Sequence, residues 1–265
     1  MIKMSYLIIC TLALAVSGLT LFSGFGLGTL LMPAFAIFFP VEVAVAATAI
    51  VHLANNIFKA GLFGKKVNFR IVISFALPAA IFAAAGALLL TYMSTVQPIT
   101  SYTLAGRICT ISVVKLVIAG MILIFAMFEL VPGFEKLAFD PKFIPFGGAV
   151  SGFFGGLSGH QGALRTAFLI RTGLEKNAFI GTMVISAIVV DVSRLIIYGS
   201  TFFARDFAVL KSQGGIGLVI AGSLAAFLGA FLGSRLLGKI TMRFIQIFVG
   251  VMLLLLSIAL GLGLV

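Results

Sequence analysis

The chain runs from Met4 to Val41 without a charged residue, and charge-poor blocks of similar character recur to its end. About 20 apolar residues suffice for a helix to cross the hydrocarbon core of a membrane. Of the whole sequence, 62% is hydrophobic and 9% is charged, whereas soluble domains are about 45–50% apolar and about 25% charged. Lipid must therefore surround most of the chain. Because backbone facing lipid has to satisfy its own hydrogen bonds, the composition predicts an all-α, polytopic membrane protein.

Eight charge-poor blocks are the predicted transmembrane segments. They are Met4–Phe39, Val43–Phe63, Ile71–Thr91, Arg107–Phe128, Phe143–Ile170, Ala178–Phe203, Ile216–Leu237 and Phe244–Val265. The stretch between the fourth and fifth blocks is the richest in turn-forming residues. We therefore divide the chain into a first four-segment repeat at 1–131, a connecting loop at 132–145 and a second four-segment repeat at 146–265.

The two halves share residues at a constant offset. Val16-Ser17-Gly18 recurs as Val150-Ser151-Gly152, and at the same offset Thr48 falls on Thr182. Many transporters are built from two such repeats, and their substrate site lies where broken helices of the two repeats meet. The offset predicts a pseudo-twofold core in which segments one and two pack against segments five and six.

Glycine runs interrupt the first and fifth segments, which are predicted to be unwound at Gly24–Gly28 and Gly155–Gly162. Unwound backbone survives in a membrane only where protein or a water-filled cavity satisfies it. A helix that restarts near Gly162 would direct free N–H groups and a positive dipole end at an anion. Alternatively, the glycines serve close helix packing, although His160 and Gln161 lie inside the second run and need partners.

Polar residues form a stripe on the second segment. At 100° per residue, one helix face carries Thr48, His52, Asn55, Asn56 and Lys59. The same offset places Thr182, Ser186 and Ser193 on the sixth segment, so we expect the two stripes to face each other. They would line either a cavity or a hydrogen-bonded seam without a ligand. Lys59 could also extend its amine to the membrane surface.

Ionisable residues inside membrane segments are candidates for function because their burial costs several kcal/mol. Asp191 and Arg194 are spaced to pair, and we place them on a different face from the sixth segment's polar stripe. This pair is either structural, or Arg194 binds an anion that Asp191 helps to release. Arg165, one turn beyond Gly162 and without a local acid, is the strongest single candidate for an anion ligand. Lys115 receives no role.

The candidate substrate-binding residues are accordingly Gly26, Gly28, Thr48, His52, Asn55, Asn56, Lys59, His160, Gln161, Gly162, Arg165, Thr182, Ser186, Asp191 and Arg194. No catalytic residue, metal or cofactor is predicted, since Cys10 and Cys109 have no metal-site spacing and no nucleotide-binding sequence is present. The formal net charge of +11 does not indicate nucleic acid, because the basic residues are scattered between apolar blocks, as they are in cytoplasmic loops.

Gly156-Leu157-Ser158-Gly159 has the form of the serine-nucleophile motif of rhomboid proteases. An acyl-transfer enzyme needs a base within reach of its serine. We expect His160 to be unable to fold back onto Ser158, and His52 lies upstream, whereas the rhomboid histidine lies downstream. A protease is therefore excluded at this stage, and the chain is not expected to be an enzyme.

Basic residues leave the membrane orientation open. The loop after the second segment is marked as cytoplasmic by Lys59, Lys65, Lys66 and Arg70. If all eight segments cross, the other side holds Arg165, Arg171 and Lys176, and later Arg235, Lys239 and Arg243. One remedy is that a glycine-broken segment turns back instead of crossing.

Two ordered motifs carry a resemblance to a known family. The run Gly24-Phe25-Gly26-Leu27-Gly28 is followed by Pro33, and the run Ser158-Gly159-His160-Gln161-Gly162 is followed by Phe179-Ile180-Gly181-Thr182. Over essentially its whole length the chain resembles the TauE/SafE family of sulfite exporters. That resemblance implies a multi-pass protein of the bacterial inner membrane that exports a small sulfur-containing anion, such as sulfite or the organosulfonate sulfoacetate.

Three functions remain in competition: a secondary transporter of such an anion, a passive anion channel, and a membrane assembly subunit without transport. The expected partners are the small anionic substrate and the lipid bilayer. Proton coupling is a further hypothesis, because His52 and His160 could gain a proton near working pH. Both could instead be neutral hydrogen-bonding residues. Substrate identity, direction and oligomeric state stay open.

Overall fold

A computed structural model describes residues 2–19, 27–104, 106–134, 137–203, 211, 214–236 and 242–265. Its helices are α1 Ile2–Leu19, α2 Leu27–Ala36, α3 Val41–Phe63, α4 Phe69–Ser94, α5 Val113–Leu130, α6 Ile144–Ser158, α7 Gly162–Leu169, α8 Lys176–Tyr198, α9 Gly215–Leu236 and α10 Met242–Gly261. Among the described residues, five helices are long and apolar enough to cross a membrane, namely α3, α4, α5, α8 and α9. The protein is therefore an all-α, multi-pass membrane protein, as predicted.

Glycines of α6 pack directly on the backbone of α4. Gly148, Gly152 and Gly156 are four residues apart and share one helix face. A Cβ atom on any of them would collide with a carbonyl oxygen of α4. The pairs are Gly148 with Phe75, Gly152 with Ala79 and Gly156 with Ala83. The residue numbers of the paired positions rise together in α4 and α6, so the two helices run parallel. Close helix packing accounts for these three glycines.

A matching contact joins α1 to α9. A Cβ on Gly229 would collide with Leu14 O, and a Cβ on Gly233 would lie 2.5 Å from Gly18 O. These helices also run parallel. Helix α3 runs in the same direction, since Val51 lies beside Gly222 of α9 and the Phe58 ring stacks further along on Phe227, with 5.0 Å between ring centroids.

Helix α2 runs antiparallel to α3. Gly28 near the start of α2 lies beside His52, while Ala36 at its end is joined to Val41 by a short loop. Because α1 runs parallel to α3, α1 and α2 are antiparallel arms of the first segment. Residues 20–26, which join the arms, lie outside the described residues, and the predicted site residue Gly26 is among them. Gly28 is helical, so the predicted unwinding does not extend to it.

The fifth segment turns back on itself. The backbone N–H of Phe139 donates to Ala167 O at 3.0 Å, and the Phe139 ring stacks on Phe168 at 4.2 Å. The end of α7 therefore lies next to the beginning of α6. The break covers only residues 159–161, where Gly159 adopts the left-handed φ of +84° common at helix ends. The expected unwinding from Gly155 was too long, because α6 stays helical where it packs on α4.

The fourth segment begins later than predicted. Residues Thr100–Leu104 and Arg107–Ile111 form antiparallel strands β1 and β2, and α5 starts only at Val113. The side chain of Ser112 accepts a hydrogen bond from Lys115 N at 3.3 Å, which makes it the N-cap of α5. The β-branched residues before Ser112 favour a strand, and hydropathy alone does not separate them from the helix.

The turn inside the fifth segment brings two basic regions together. Lys66 Nζ, after α3, lies 3.5 Å from Glu175 Oε2 at the start of α8. In the same loop, Asn68 N donates to Thr182 Oγ1 at 3.1 Å. The loop between α3 and α4 and the loop between α7 and α8 therefore lie at one end of the bundle. The hairpin removes the charge conflict created by a fully crossing fifth segment.

Candidate functional site

The centre of the bundle holds a buried carboxylate with five hydrogen bonds. Asp191 of α8 is fully buried. Its Oδ1 accepts from Arg194 Nη2 at 2.6 Å, Arg194 Nε at 3.1 Å and Gln161 Nε2 at 3.2 Å. Its Oδ2 accepts from His52 Nδ1 at 2.6 Å and Asn56 Nδ2 at 3.3 Å. Asp191 therefore links α3, α8 and the break of the fifth segment. An ionised carboxylate only accepts hydrogen bonds, which places the proton of His52 on Nδ1.

Arg194 stabilises the broken end of α6 as well as Asp191. The predicted pairing of Asp191 with Arg194 is present, with both side chains fully buried. Arg194 Nη1 also donates to Gly155 O at 3.1 Å, and Tyr198 OH donates to Gly156 O. Carbonyls near a helix C-terminus lack intrahelical partners and favour a cation. All three guanidinium nitrogens have a partner, which favours the structural interpretation of Arg194.

The two polar stripes do not meet as predicted. Asp191 contacts His52 and Asn56 of α3, whereas Ser193 Oγ donates to Ala80 O of α4 at 2.6 Å. Thr182 belongs to the loop contact with Asn68. Helix α8 is covered by α3 on one side and α4 on another, so its serine and threonine residues diverge. The face of Asp191, which we had separated from the stripe, is the one directed at α3.

Arg165 lies in the first turn of α7 and is 4% exposed. Its Nη1 donates to Gln161 Oε1 at 2.9 Å, while its Nε is buried without a hydrogen-bond partner among the described residues. In the described part of the chain, no carboxylate lies within ion-pair distance of Arg165. A buried donor without a partner needs an explanation, and a bound anion or water would supply one.

Lys59 is buried rather than extended to the membrane surface. It is 8% exposed, and Asn55, one turn before it on α3, contacts Ser17 of α1 and Ala226 of α9. When the Asn55 amide is oriented so that its nitrogen donates to Ser17 Oγ and Ala226 O, its oxygen accepts from Lys59 Nζ at 3.2 Å. No carboxylate among the described residues pairs with Lys59.

His160 folds back onto Ser158, contrary to our expectation. Its Nδ1 lies 3.1 Å from both Ser158 O and Ser158 Oγ, because the left-handed turn at Gly159 reverses the chain. Ser158 Oγ donates to Phe154 O at 3.1 Å, so the serine proton is directed at the backbone. The His160 ring stacks on Phe125 of α5 at 5.3 Å, and its Nε2 is buried without a partner.

Two buried hydroxyls without partners flank the central network. Helices α3 and α8 run antiparallel, since Gly181 lies beside Phe63 and Asp191 beside His52. Thr48 therefore lies one turn from the network towards one face of the bundle, and Ser186 lies more than one turn from it towards the other. Neither Oγ atom has a hydrogen-bond partner. Polar atoms thus continue in both directions from Asp191.

The beginning of α2 approaches the break of the fifth segment. A Cβ on Gly28 would lie 3.1 Å from Gly159 O and 3.6 Å from His52 Cδ2. Gly162 begins α7. Ser17 and Ser151, absent from our candidates, hold these regions: Ser17 Oγ bonds Asn55 at 3.2 Å and Ser151 Oγ donates to Gln161 O at 2.9 Å. Ser17 and Ser151 occupy equivalent positions in the two halves, and this equivalence could have identified them as candidates.

The chain is similar to a known protein family. The model of the family described as sulfite exporter TauE/SafE matches residues 7–260. No curated protein and no solved structure matches the chain.

Proposed function

This chain belongs to the sulfite exporter TauE/SafE family, and on that premise we propose that it is a secondary transporter that exports a small sulfur-containing anion across the bacterial inner membrane. Sulfite or an organosulfonate such as sulfoacetate is the expected substrate. The observation that carries the proposal is the pair of buried cations, Arg165 and Lys59, without a carboxylate partner among the described residues. Buried charge without a counter-ion is costly, so an anion at this position would stabilise the site.

The proposed binding site lies at the beginning of α7. The first turn of a helix carries free N–H groups and the positive end of its dipole. The side chain of Gln161, at the N-cap, does not cap these groups, and Arg165 adds its unpartnered Nε. Lys59 contributes the second charge from α3. Asp191, His52 and Asn56 position Gln161, while Arg194 and Tyr198 stabilise the end of α6.

We further propose that the halves 1–131 and 146–265 are inverted repeats. The helix contacts support this, because they are reciprocal. Helix α1 of the first half packs on α9 of the second, α6 of the second half packs on α4 of the first, and α3 pairs with α8 and α5 with α10. The equivalent helices α3 and α8 run antiparallel, which is the relation expected for inversion.

In this arrangement the eight predicted segments become six crossing helices and two hairpins that enter from opposite faces. The α1–α2 and α6–α7 hairpins would meet at Gly28 and Gly159. The end of the bundle that holds Lys66, Arg70 and Arg171 would be cytoplasmic. Inverted repeats with broken helices at the midplane suit alternating access, in which one repeat moves against the other.

Flux of sulfite in vesicles containing the purified protein tests the transporter proposal. Counterflow and saturation are expected for a transporter, whereas a linear dependence on concentration would indicate the channel, and no flux would indicate the assembly subunit. Charge-assisted hydrogen bonds contribute about 1.5–3 kcal/mol each, so Arg165→Gln should lower the flux at subsaturating sulfite by about tenfold or more. Lys115→Gln is the matched control, because Lys115 Nζ donates to Thr110 O at 3.0 Å outside this network. Equal losses in both variants at equal expression would contradict the assignment of Arg165.

A further inference from the structure

The charges around the central network do not balance. Asp191 is the carboxylate of the network, and the guanidinium of Arg194 offsets it through two contacts of 2.6 Å and 3.1 Å. The remaining cations are Arg165 and Lys59. Among the described residues, neither has a carboxylate within 4.0 Å. The site therefore carries two uncompensated positive charges in a region removed from solvent.

These two charges act on the same space. Arg165 Nη1 donates to Gln161 Oε1 and Gln161 Nε2 donates to Asp191, while Asn56, three residues before Lys59 on α3, donates to the same carboxylate, so the two cations flank one hydrogen-bonded network. Arg165 comes from α7 and Lys59 from α3, so a ligand between them would contact both broken and unbroken elements. In a region of low dielectric, the interaction between charges is several times stronger than it is in water. A second negative charge on the ligand gains attraction to both cations, and this gain offsets the added cost of removing that charge from water.

Free donors are available on both sides of such a ligand. The Nε of Arg165 is buried without a partner, and its Nη1 uses only Gln161 Oε1 among the protein acceptors within hydrogen-bond distance in the described chain. Among the described residues, Lys59 Nζ has one acceptor, Asn55 Oδ1, in the amide orientation described above. An ammonium group carries three donors and a guanidinium carries five. Donors from both cations thus remain for the oxygens of one small oxyanion.

We propose that this site selects doubly charged oxyanions over singly charged ones of the same size, and that Lys59 determines this selectivity. The inference rests on the proposed function and deepens it. Arg165 holds one oxygen group of the ligand, as it would for either charge state. Lys59 supplies the second positive charge, which a singly charged ligand leaves uncompensated and a doubly charged ligand neutralises.

The test compares two probes that differ in charge and match in shape. Sulfate and methanesulfonate both present three oxygens around a tetrahedral sulfur, and the fourth substituent is a charged oxygen in one and a methyl group in the other. Their binding to purified protein in detergent is measured by competition against sulfite at pH 7, at constant ionic strength. The wild type is expected to bind sulfate about tenfold or more tightly than methanesulfonate, because loss of one partner of a buried charge pair is costly.

Substitution of Lys59 then assigns the selectivity. Lys59→Gln should lower the affinity for sulfate by about tenfold and leave the affinity for methanesulfonate nearly unchanged. Lys59→Arg should retain the preference, and Lys115→Gln should alter neither affinity. If Lys59→Gln does not fold, Lys59→Arg and wild-type protein still test the preference itself.

Equal affinity of the wild type for sulfate and methanesulfonate would overturn the proposal. An equal loss of affinity for the two probes in Lys59→Gln would also overturn it. Either result is compatible with sulfite flux in vesicles, so the transporter proposal would stand. Conversely, if the protein binds sulfate selectively but shows no sulfite flux in vesicles, the selectivity proposal stands and the transporter proposal is refuted.

Discussion

Asp191→Asn tests whether the central carboxylate holds the two helices and the broken segment together. The substitution keeps the size of the side chain and removes its charge. Arg194 then loses the ionic part of its contacts at 2.6 Å and 3.1 Å. The new amide nitrogen would also face two groups that now donate, His52 Nδ1 and Asn56 Nδ2. Removal of one partner of a buried ion pair destabilises by about 3–5 kcal/mol, and we expect a loss of stability in this range.

A double-mutant cycle separates the ion pair from general damage at the site. Arg194→Gln alone should also destabilise strongly, because it leaves Asp191 charged and buried beside His52. The double variant Asp191→Asn/Arg194→Gln buries neither charge. Residues in one network couple by about 0.5–3 kcal/mol, and for this pair we expect a coupling energy near the upper end, at about 2 kcal/mol or more.

The assay measures unfolding of the purified protein in detergent by heating or by titration with denaturant. Glu175→Gln is the control, because its ion pair with Lys66 spans 3.5 Å and both side chains are largely exposed. Exposed ion pairs contribute about 0–1 kcal/mol, so this variant should be close to wild type. If the losses from the two central substitutions simply add, the inference that Asp191 and Arg194 form a coupled buried pair is wrong.

Other predictions concern packing and proton coupling. Gly152→Leu should prevent α6 from reaching α4 and abolish stable expression, because its Cβ would collide with the backbone of Ala79, whereas Gly120→Leu, with open space around it, should be tolerated. If histidines couple transport to protons, wild-type flux should change between about pH 5.5 and about 8, around the unperturbed histidine pKa of about 6.5. His52→Gln or His160→Gln should then flatten that pH profile. If the wild-type profile is flat, or the variants keep its shape, histidine coupling is wrong and the protein acts as a uniporter.

Several features of the fold follow from local sequence. Membrane segments can be predicted from the sequence because hydrophobicity summed over about 20 residues decides whether a helix can lie in lipid. The break at Gly159 is readable because a left-handed turn with φ of +84° favours glycine. The pair of Asp191 and Arg194 is readable because residues three apart share a helix face. Each of these depends on neighbours along the chain.

Other features depend on contacts between distant segments. Whether the fifth segment crosses or turns back was open, and the Phe139–Ala167 hydrogen bond and the packing of three glycines on α4 decide it. The start of α5 was misplaced because the β1–β2 hairpin draws in residues that hydropathy assigns to the membrane.

The sequence by itself determined that this protein is a multi-pass membrane protein of the TauE/SafE family, with buried ionisable residues near a glycine break. Only the tertiary structure decided which of those residues meet. His52 and Asp191 are far apart in sequence and 2.6 Å apart in the structure, while Ser193, two residues from Asp191, contacts α4 instead. The physical reason is that a helix presents each side chain in a fixed direction, but the neighbour found in that direction depends on how the helices pack.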